Sequence, residues 1–215
     1  MSILGGTNFT SIITNHDAAV ADQGNSYVAI TPTPGTGIIG FATSTTLAIG
    51  ELNPDFVLYN PGPLTVYPLY ARMHCTVVST ASTNLMFTQF VDVGNRITTT
   101  ATSLTKSNTN PASTNSSAAL ISVGANVLSA ATSSRKFTAH SWLRSTIDVV
   151  HDIYNFSWGS PTVAITGAQV ATVQEFTKSF MPIAIPGGYL FGITHWNASQ
   201  SAAQTLEWEF GYIER

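Results

Sequence analysis

The sequence predicts an all-β protein, an antiparallel jelly-roll-like β-sandwich of about eight to ten strands. Three observations support this fold class. The chain of 215 residues carries short runs of Thr, Val, Ile and aromatic residues, which favour strands. Gly, Pro, Asn and Ser separate these runs, as residues of tight turns do. We find neither capped helix-period segments nor an internal repeat, which argues against helical bundles, β-helices and propellers.

Nine segments are predicted to form strands, each of them bounded by turn residues. In chain order they are 27–30, 56–59, 66–78, 85–93, 120–128, 136–148, 175–185, 189–196 and 205–214. Pro68 lacks the amide proton that an inner position of a sheet needs, so we expect it at an edge or a bulge, and Pro182 should break its strand. In the last strand large apolar residues alternate with Glu207 and Glu209, which predicts one core face and one solvated face.

Two regions are set apart by their low apolar content. Residues 1–26 are small and polar, with Phe9, Ile12 and Ile13 thinly spread among them. We expect an N-terminal arm that becomes ordered by docking on a neighbouring molecule, with these three side chains as its contacts. Residues 27–215 are predicted to form a single sandwich domain. Within it, the Ser, Thr and Asn-rich stretch 99–118 predicts a long exposed loop.

The composition excludes several classes of protein. Only 9% of the residues are charged and the net charge is −3, while 44% are hydrophobic. This hydrophobic content rules out a disordered chain. The 8 basic residues are scattered, so we expect no nucleic-acid partner, since such binding needs a basic patch. The most apolar run is too short to span a bilayer, so no membrane partner is expected. A single cysteine excludes an internal disulfide and a thiolate zinc cluster.

The densest set of potential metal ligands is formed by three histidines and two aspartates, namely His140, His151, His195, Asp148 and Asp152. A two-histidine, one-carboxylate site would need these side chains to converge. Adjacent residues of a strand point to opposite faces, so His151 and Asp152 should diverge. We therefore predict no metal site and no cofactor.

Glu207 and Glu209 are the best geometric pair for acid–base chemistry. They would project from one strand face, with a spacing compatible with glycosidase carboxylates. We favour a solvated strand face instead, because nothing nearby in the sequence indicates a polar cleft. His74 cannot readily activate Cys75, because neighbours in a strand face opposite ways, and a buried structural cysteine is expected. We predict no catalytic residue, and hence no enzyme.

The aromatic residues offer one further kind of site. Tyr189, Trp196 and Trp208 could form an exposed row on which a sugar stacks. More often such residues belong to the core and rim of a sandwich. The sequence leaves both possibilities open, and burial of the two tryptophan rings would argue against the stacking row.

Five segments carry a resemblance to a known group of proteins. They are NSYVAITPTPGTGIIG (25–40), FVLYNPG (56–62), VYPLYARMHCTVV (66–78), PIAIPGGYLFGITHW (182–196) and LEWEFGYIER (206–215). With them the chain resembles structural virion proteins of environmental bacteriophages, most of all jelly-roll head decoration (cement) proteins. No catalytic motif accompanies the resemblance, so it implies no functional residue.

The resemblance implies a protein that binds the outer surface of a phage capsid and stabilises it. Its partners would be the major capsid protein and copies of itself, as a homotrimer, and it would be made in the host cytoplasm and located in the virion. The composition agrees, because weakly charged subunits can lie close together without mutual repulsion. Two alternatives stay open, a carbohydrate- or receptor-binding module of a phage head or tail, and a jelly-roll glycoside hydrolase or lyase.

Overall fold

The computed structural model describes residues 18–40, 52–78, 85–144, 149–159, 175–197 and 203–215. Within these residues fifteen strands follow one another, and the one helical stretch among them is 18–22. The strands are β1 (Ser26–Ile30), β2 (Ile38–Ile39), β3 (Phe56–Asn60), β4 (Val66–Val77), β5 (Leu85–Val93), β6 (Ile97–Thr99), β7 (Thr102–Ser103), β8 (Thr105–Asn108), β9 (Leu120–Val123), β10 (Val127–Leu128), β11 (Lys136–Arg144), β12 (Ile153–Trp158), β13 (Glu175–Phe180), β14 (Tyr189–Asn197) and β15 (Thr205–Glu214). The all-β class is confirmed. The strand count exceeds the predicted eight to ten, because several short strands lie in segments expected to be loops.

Two large sheets form the body of the molecule. Sheet A has the order β13-β12-β4-β15-β1-β8, with β2 pairing on β15, and sheet B has the order β11-β5-β14-β3-β9-β7. A third sheet consists of β10 and β6. Every described strand pair is antiparallel except β12 with β13, which is parallel.

The core lies between sheets A and B and is dominated by aromatic rings. Phe56 of sheet B meets Phe210 of sheet A with ring centroids 4.7 Å apart. Phe87 of sheet B meets Phe156 of sheet A at 4.9 Å, edge to face. Burying a side chain of this size contributes about 1.5–3 kcal/mol, so these contacts hold the two layers together. The alternation predicted for the last strand is confirmed, since its apolar row is buried in this core.

Pro68 lies at a bulge, which is one of the two positions predicted for it. In the pairing of β4 with β15, Gly211 is opposite Tyr70 and Tyr212 is opposite Pro68, so Leu69 is the extra residue. Pro68 is next to this extra residue, where the ladder of hydrogen bonds is locally disrupted, and bulges are among the places in a sheet where proline is found. At the other predicted break, β13 ends at Phe180, before Pro182.

The predicted boundary between arm and domain needs correction. Val20 is buried, and three side-chain amides of the polar segment donate to backbone carbonyls of residues 22–24. These bonds are Asn108 Nδ2 to Gly24 O at 2.8 Å, Asn110 Nδ2 to Asp22 O at 3.1 Å and Asn115 Nδ2 to Gln23 O at 3.1 Å. Residues 18–26 therefore pack on their own domain. The predicted arm contacts Phe9, Ile12 and Ile13 lie outside the described residues.

The polar stretch 99–118 is also not a loop throughout. It contains β7 and β8, of which β8 pairs with β1 and β7 pairs with β9 at the edges of the two sheets. The Lys106 ammonium donates to the carbonyls of Ser117 and Ala119 at 2.9 and 2.6 Å and ties the rest of the segment down. Threonine has a high β propensity, and an edge strand has no need of an apolar outer face, so polarity alone did not exclude strands here.

Candidate functional site

A cavity of about 390 Å³ opens on the outer face of sheet A. Its lining combines charged side chains with a few apolar ones, namely Ile30, Thr31, Pro34, Arg72, His74, Ile153, Glu207, Trp208 and Glu209. The strands β1, β4, β12 and β15, with the loop that follows β1, supply these residues. The outer face of the sandwich therefore holds, at its middle strands, a concavity lined by both charged and apolar side chains.

The pairing of β4 with β15 explains how the charged residues come together. Glu207 stands opposite His74, and Glu209 stands opposite Arg72. Opposite residues in an antiparallel pair project from the same face with Cβ atoms about 4.5–5.5 Å apart. The intervening residues of both strands point into the core, so period-two alternation on two strands produces a compact set of charges on the solvent side.

Glu207 is held by two donors. The backbone amide of Gly35 donates to Oε1 at 2.5 Å, and Nδ1 of His74 lies 3.2 Å from Oε2. Gly35 has a φ of +81°, a conformation that glycine adopts without a steric penalty. The amide of Gly35, together with the bond and the charge of His74, outweighs burial and lowers the pKa of Glu207 below its usual value. Glu207 is thus a carboxylate at neutral pH.

His74 also contacts a second histidine. Nε2 of His74 lies 3.0 Å from Nδ1 of His151, and the two ring planes differ by 12°. His151 has a φ of +76° and is the only non-glycine residue with positive φ among those described. The turn that carries it is tied to β4, because His151 N donates to Cys75 O at 2.7 Å and Cys75 N donates to Asp152 O at 2.8 Å.

Glu209 accepts a hydrogen bond from the phenol of Tyr70 at 2.7 Å. The Tyr70 ring lies over Gly211, where a Cβ atom would come within 2.2 Å of the ring. Burial, followed by the bond and the charge of Glu209, raises the pKa of Tyr70. Tyr70 is therefore a permanent donor to Glu209 at physiological pH, and the glycine is what lets the ring reach it.

The two glutamates thus line a cavity together with Arg72 and His74, whereas the sequence indicated no polar cleft near them. The expectation failed because the partners of Glu207 and Glu209 come from β4, far away in the sequence, and only the strand register places them. A glycosidase acid needs a raised carboxyl pKa, whereas that of Glu207 is lowered. Glu207 therefore lines a cavity but does not have the character of a general acid.

The potential metal ligands are not brought together. His140 bonds with Thr88 on sheet B at 2.9 Å, His195 is buried beside Asp55, and His151 lies in the turn before β12 of sheet A. Asp148 is outside the described residues. No group of three His, Cys, Asp or Glu side chains that could hold a metal ion occurs in the part of the chain that the structure describes.

Of the three aromatic residues considered for a stacking row, Trp208 is not available for one. Trp208 is only 3% exposed, since its ring belongs to the core between the sheets, so it has no face on which a sugar could stack. Tyr189 is 38% exposed, and the side chain of Trp196 lies outside the described ones. Cys75 is buried and forms no disulfide, as predicted.

No protein-family model matches the chain, and neither a curated protein nor a solved structure shows significant similarity to it. In the described residues, no helix is long and apolar enough to cross a membrane.

Proposed function

We propose that this protein is a structural virion subunit, a decoration (cement) protein that binds the outer surface of a phage capsid and stabilises it, and that its sandwich is a jelly roll. The observation that carries the proposal is the order in which the principal strands pair. The partners would be the major capsid protein and further copies of this chain.

The pairing order is nested. If β1, β3, β4, β5, β11, β12, β14 and β15 are numbered one to eight, the first pairs with the eighth and the second with the seventh. The third pairs with the sixth, and the fourth with the fifth. An antiparallel ribbon of eight strands rolled into two sheets pairs in this way, and the jelly rolls of viral capsid domains have this architecture. Of the remaining strands, β8, β13, β9 and β7 extend the two sheets at their ends, β2 pairs with β15, and β6 and β10 form the third sheet.

The surface chemistry supports a subunit that sits among many others. Threonine and serine make up 52 of the 215 residues, against 19 charged ones, so neighbouring copies would repel one another little. The edge strand β11 is nine residues long and exposes Phe137, which is 53% accessible. Free proteins usually protect long edge strands, so a strand of this length at the end of the described part of sheet B is suited to contact with a neighbour.

Co-sedimentation with purified heads tests the proposal. Heads of the phage that encodes the chain are mixed with the full chain, with a variant that lacks residues 2–17, and with a variant in which Phe9, Ile12 and Ile13 are replaced by serine. Both variants keep every described residue. We expect the full chain to sediment with the heads and both variants to bind more weakly. Equal binding by all three would overturn the arm contacts alone, and a full chain that stays in the supernatant would overturn the proposed function.

The cavity on sheet A favours a second candidate function, binding of a sugar or another polar ligand by a head or tail module. Arg72 and Glu209 are suited to bind hydroxyl groups, and Ile30 and Pro34 lie beside them as apolar lining. Titration with a panel of glycans, followed by amide chemical shifts, tests this candidate. It predicts shifts centred on β4 and β15 that disappear in Glu209→Gln, and the absence of any shift would rule it out.

A further inference from the structure

Glu207, His74 and His151 form a continuous line of contacts across the outer face of sheet A. Oε2 of Glu207 lies 3.2 Å from Nδ1 of His74, and Nε2 of His74 lies 3.0 Å from Nδ1 of His151. Nothing in the proposed capsid function uses this arrangement. It is local, solvent-accessible and built from the residue type that changes charge between about pH 5 and 8.

The contact between the two histidines is a hydrogen bond and not an ion site. The ring planes differ by only 12° and the ring centroids are 5.2 Å apart, which is the separation expected when a 3.0 Å bond lies in the plane of both rings. The two nitrogen atoms therefore point at each other. A zinc ion needs about 2.0–2.1 Å to each nitrogen, and there is no room for one on this line. A proton fits it.

The number of protons on the four ring nitrogens determines whether the hydrogen bond between His74 and His151 can form. A carboxylate can only accept, so Nδ1 of His74 carries a proton, and Nε2 of neutral His74 then accepts from Nδ1 of His151. A first added proton goes to the free Nε2 of His151 and leaves every bond intact. A second added proton must go to Nε2 of His74. Two N–H groups then face each other, and the bond between the rings is lost.

The backbone around His151 indicates that this contact is maintained at some cost. Positive φ is uncommon outside glycine and marks strain that the surrounding structure must hold in place. Here the two backbone bonds with Cys75 hold the turn 149–152 against β4. Within the turn, Val149 N donates to Asp152 Oδ2 at 2.8 Å. With the turn so placed, the imidazole of His151 meets that of His74.

Several charged groups surround the two histidines. Glu207 on β15 contacts His74, and Arg72 lies two residues from His74 on the same face of β4. Glu209 on β15 is opposite Arg72 and bonded to Tyr70. Glu175 on β13 bonds with Asn155, and the carboxylate of Asp152 is buried in its own turn.

We propose that Glu207, His74 and His151 form a proton-operated latch, which holds the turn 149–152 on sheet A at neutral pH and releases it when both imidazoles are protonated. Glu207 remains ionised as the pH falls from 7 to 5, so the latch opens between the two rings. The release loosens the entry to β12 without unfolding the sandwich. This inference is independent of the proposed function.

Amide hydrogen exchange of Cys75 and His151, measured by NMR at pH 7 and pH 5, tests the latch, since both amides donate within the turn contact. After division by the intrinsic exchange rates, we expect the opening constant to rise about three- to tenfold on acidification, the worth of one hydrogen bond. In His74→Gln the amide oxygen accepts from either form of His151, so the opening constant should be equal at both pH values. In His151→Ala it should already be raised at pH 7.

His140→Gln is the matched control, because it removes a histidine from sheet B and leaves the latch intact. It should show the same acid response as the wild type. An opening constant of the wild type that is equal at pH 7 and pH 5 would overturn the latch. A response of His74→Gln as large as that of the wild type would overturn it as well.

Discussion

Trp158 and Gln89 join the two sheets of the sandwich through the core, with the indole Nε1 of Trp158 donating to Oε1 of Gln89 at 3.0 Å. Both side chains are buried, one on β12 of sheet A and the other on β5 of sheet B. A polar bond inside an aromatic core fixes how the two layers face each other, because apolar contacts alone permit several arrangements.

Replacing Trp158 by Phe should therefore lower the free energy of unfolding by more than the loss of buried ring area alone would. The oxygen of Gln89 would be left buried without its donor, which costs about 1–3 kcal/mol. We expect this loss in the free energy of unfolding, measured with urea. The double variant Trp158→Phe, Gln89→Leu removes both partners and should recover part of the stability. If the double variant loses the sum of the two single losses, the bond does not couple the sheets.

Two glycines beneath aromatic rings should respond differently to alanine. A Cβ at Gly192 would lie 2.3 Å from the buried ring of Phe90, and one at Gly211 would lie 2.2 Å from the half-exposed ring of Tyr70. Phe90 cannot move aside, so Gly192→Ala should cost about 1–3 kcal/mol of unfolding free energy. Tyr70 can swing outward, so Gly211→Ala should cost only the hydrogen bond of Tyr70 to Glu209, about 1 kcal/mol of unfolding free energy.

In a Tyr70→Ala background the clash at Gly211 disappears, and the additional effect of Gly211→Ala should be close to zero. A full cost at Gly211 in this background would mean that the backbone, and not the ring of Tyr70, requires the glycine.

Asp92 should contribute to acid sensitivity. Burial raises the pKa of Asp92, but hydrogen bonds from Thr132 and Val93 and the charge of Arg135 outweigh burial and lower it overall. A lowered pKa in the folded state means stability that is present above the unfolded pKa of about 3.9 and lost as the pH falls through the folded value. Asp92→Asn should thus lose about 1–3 kcal/mol at pH 7.

The free energies of unfolding of Asp92→Asn and of the wild type, measured by chemical unfolding and plotted against pH, should converge below about pH 4. Asp22→Asn removes an exposed carboxylate and serves as the control, with a curve that follows the wild type. Parallel curves for Asp92→Asn and the wild type would show that Asp92 is not the group that titrates.

The proposed homotrimer predicts a particle of three times the 22.8 kDa chain mass. Light scattering coupled to size exclusion measures this mass directly on the full chain. A mass of one chain across a hundredfold range of concentration would contradict self-association in solution.

The sequence predicted the faces of strands better than their partners. Alternation in β15 placed Trp208 and Phe210 on the core side correctly, because a period of two depends only on local spacing. The pairing of Glu207 with His74 depends on the register between strands more than a hundred residues apart, and no local pattern encodes it. The same alternation left two roles open for Trp208, a place in the core row and a place in a ligand-stacking row. Its burial in the structure decided in favour of the core.

Polar strands and turns were the other source of error. The edge strand β8 lies in a stretch whose composition is typical of loops, so it was predicted as a loop. Only the structure shows that it pairs with β1. His151 was considered as a metal ligand on a strand, whereas it lies in a turn with positive φ. Its contact with His74 required that turn geometry, which the residues around position 151 did not indicate.

The ratio of this chain to the major capsid protein in purified particles tests the central proposal most directly. Quantitative mass spectrometry across a density gradient of phage particles gives this ratio in each fraction. We predict a constant ratio, with many copies of the chain per particle, in all fractions that contain heads. A chain that is absent from those fractions, and present only in the soluble part of the lysate, would contradict the assignment as a virion subunit.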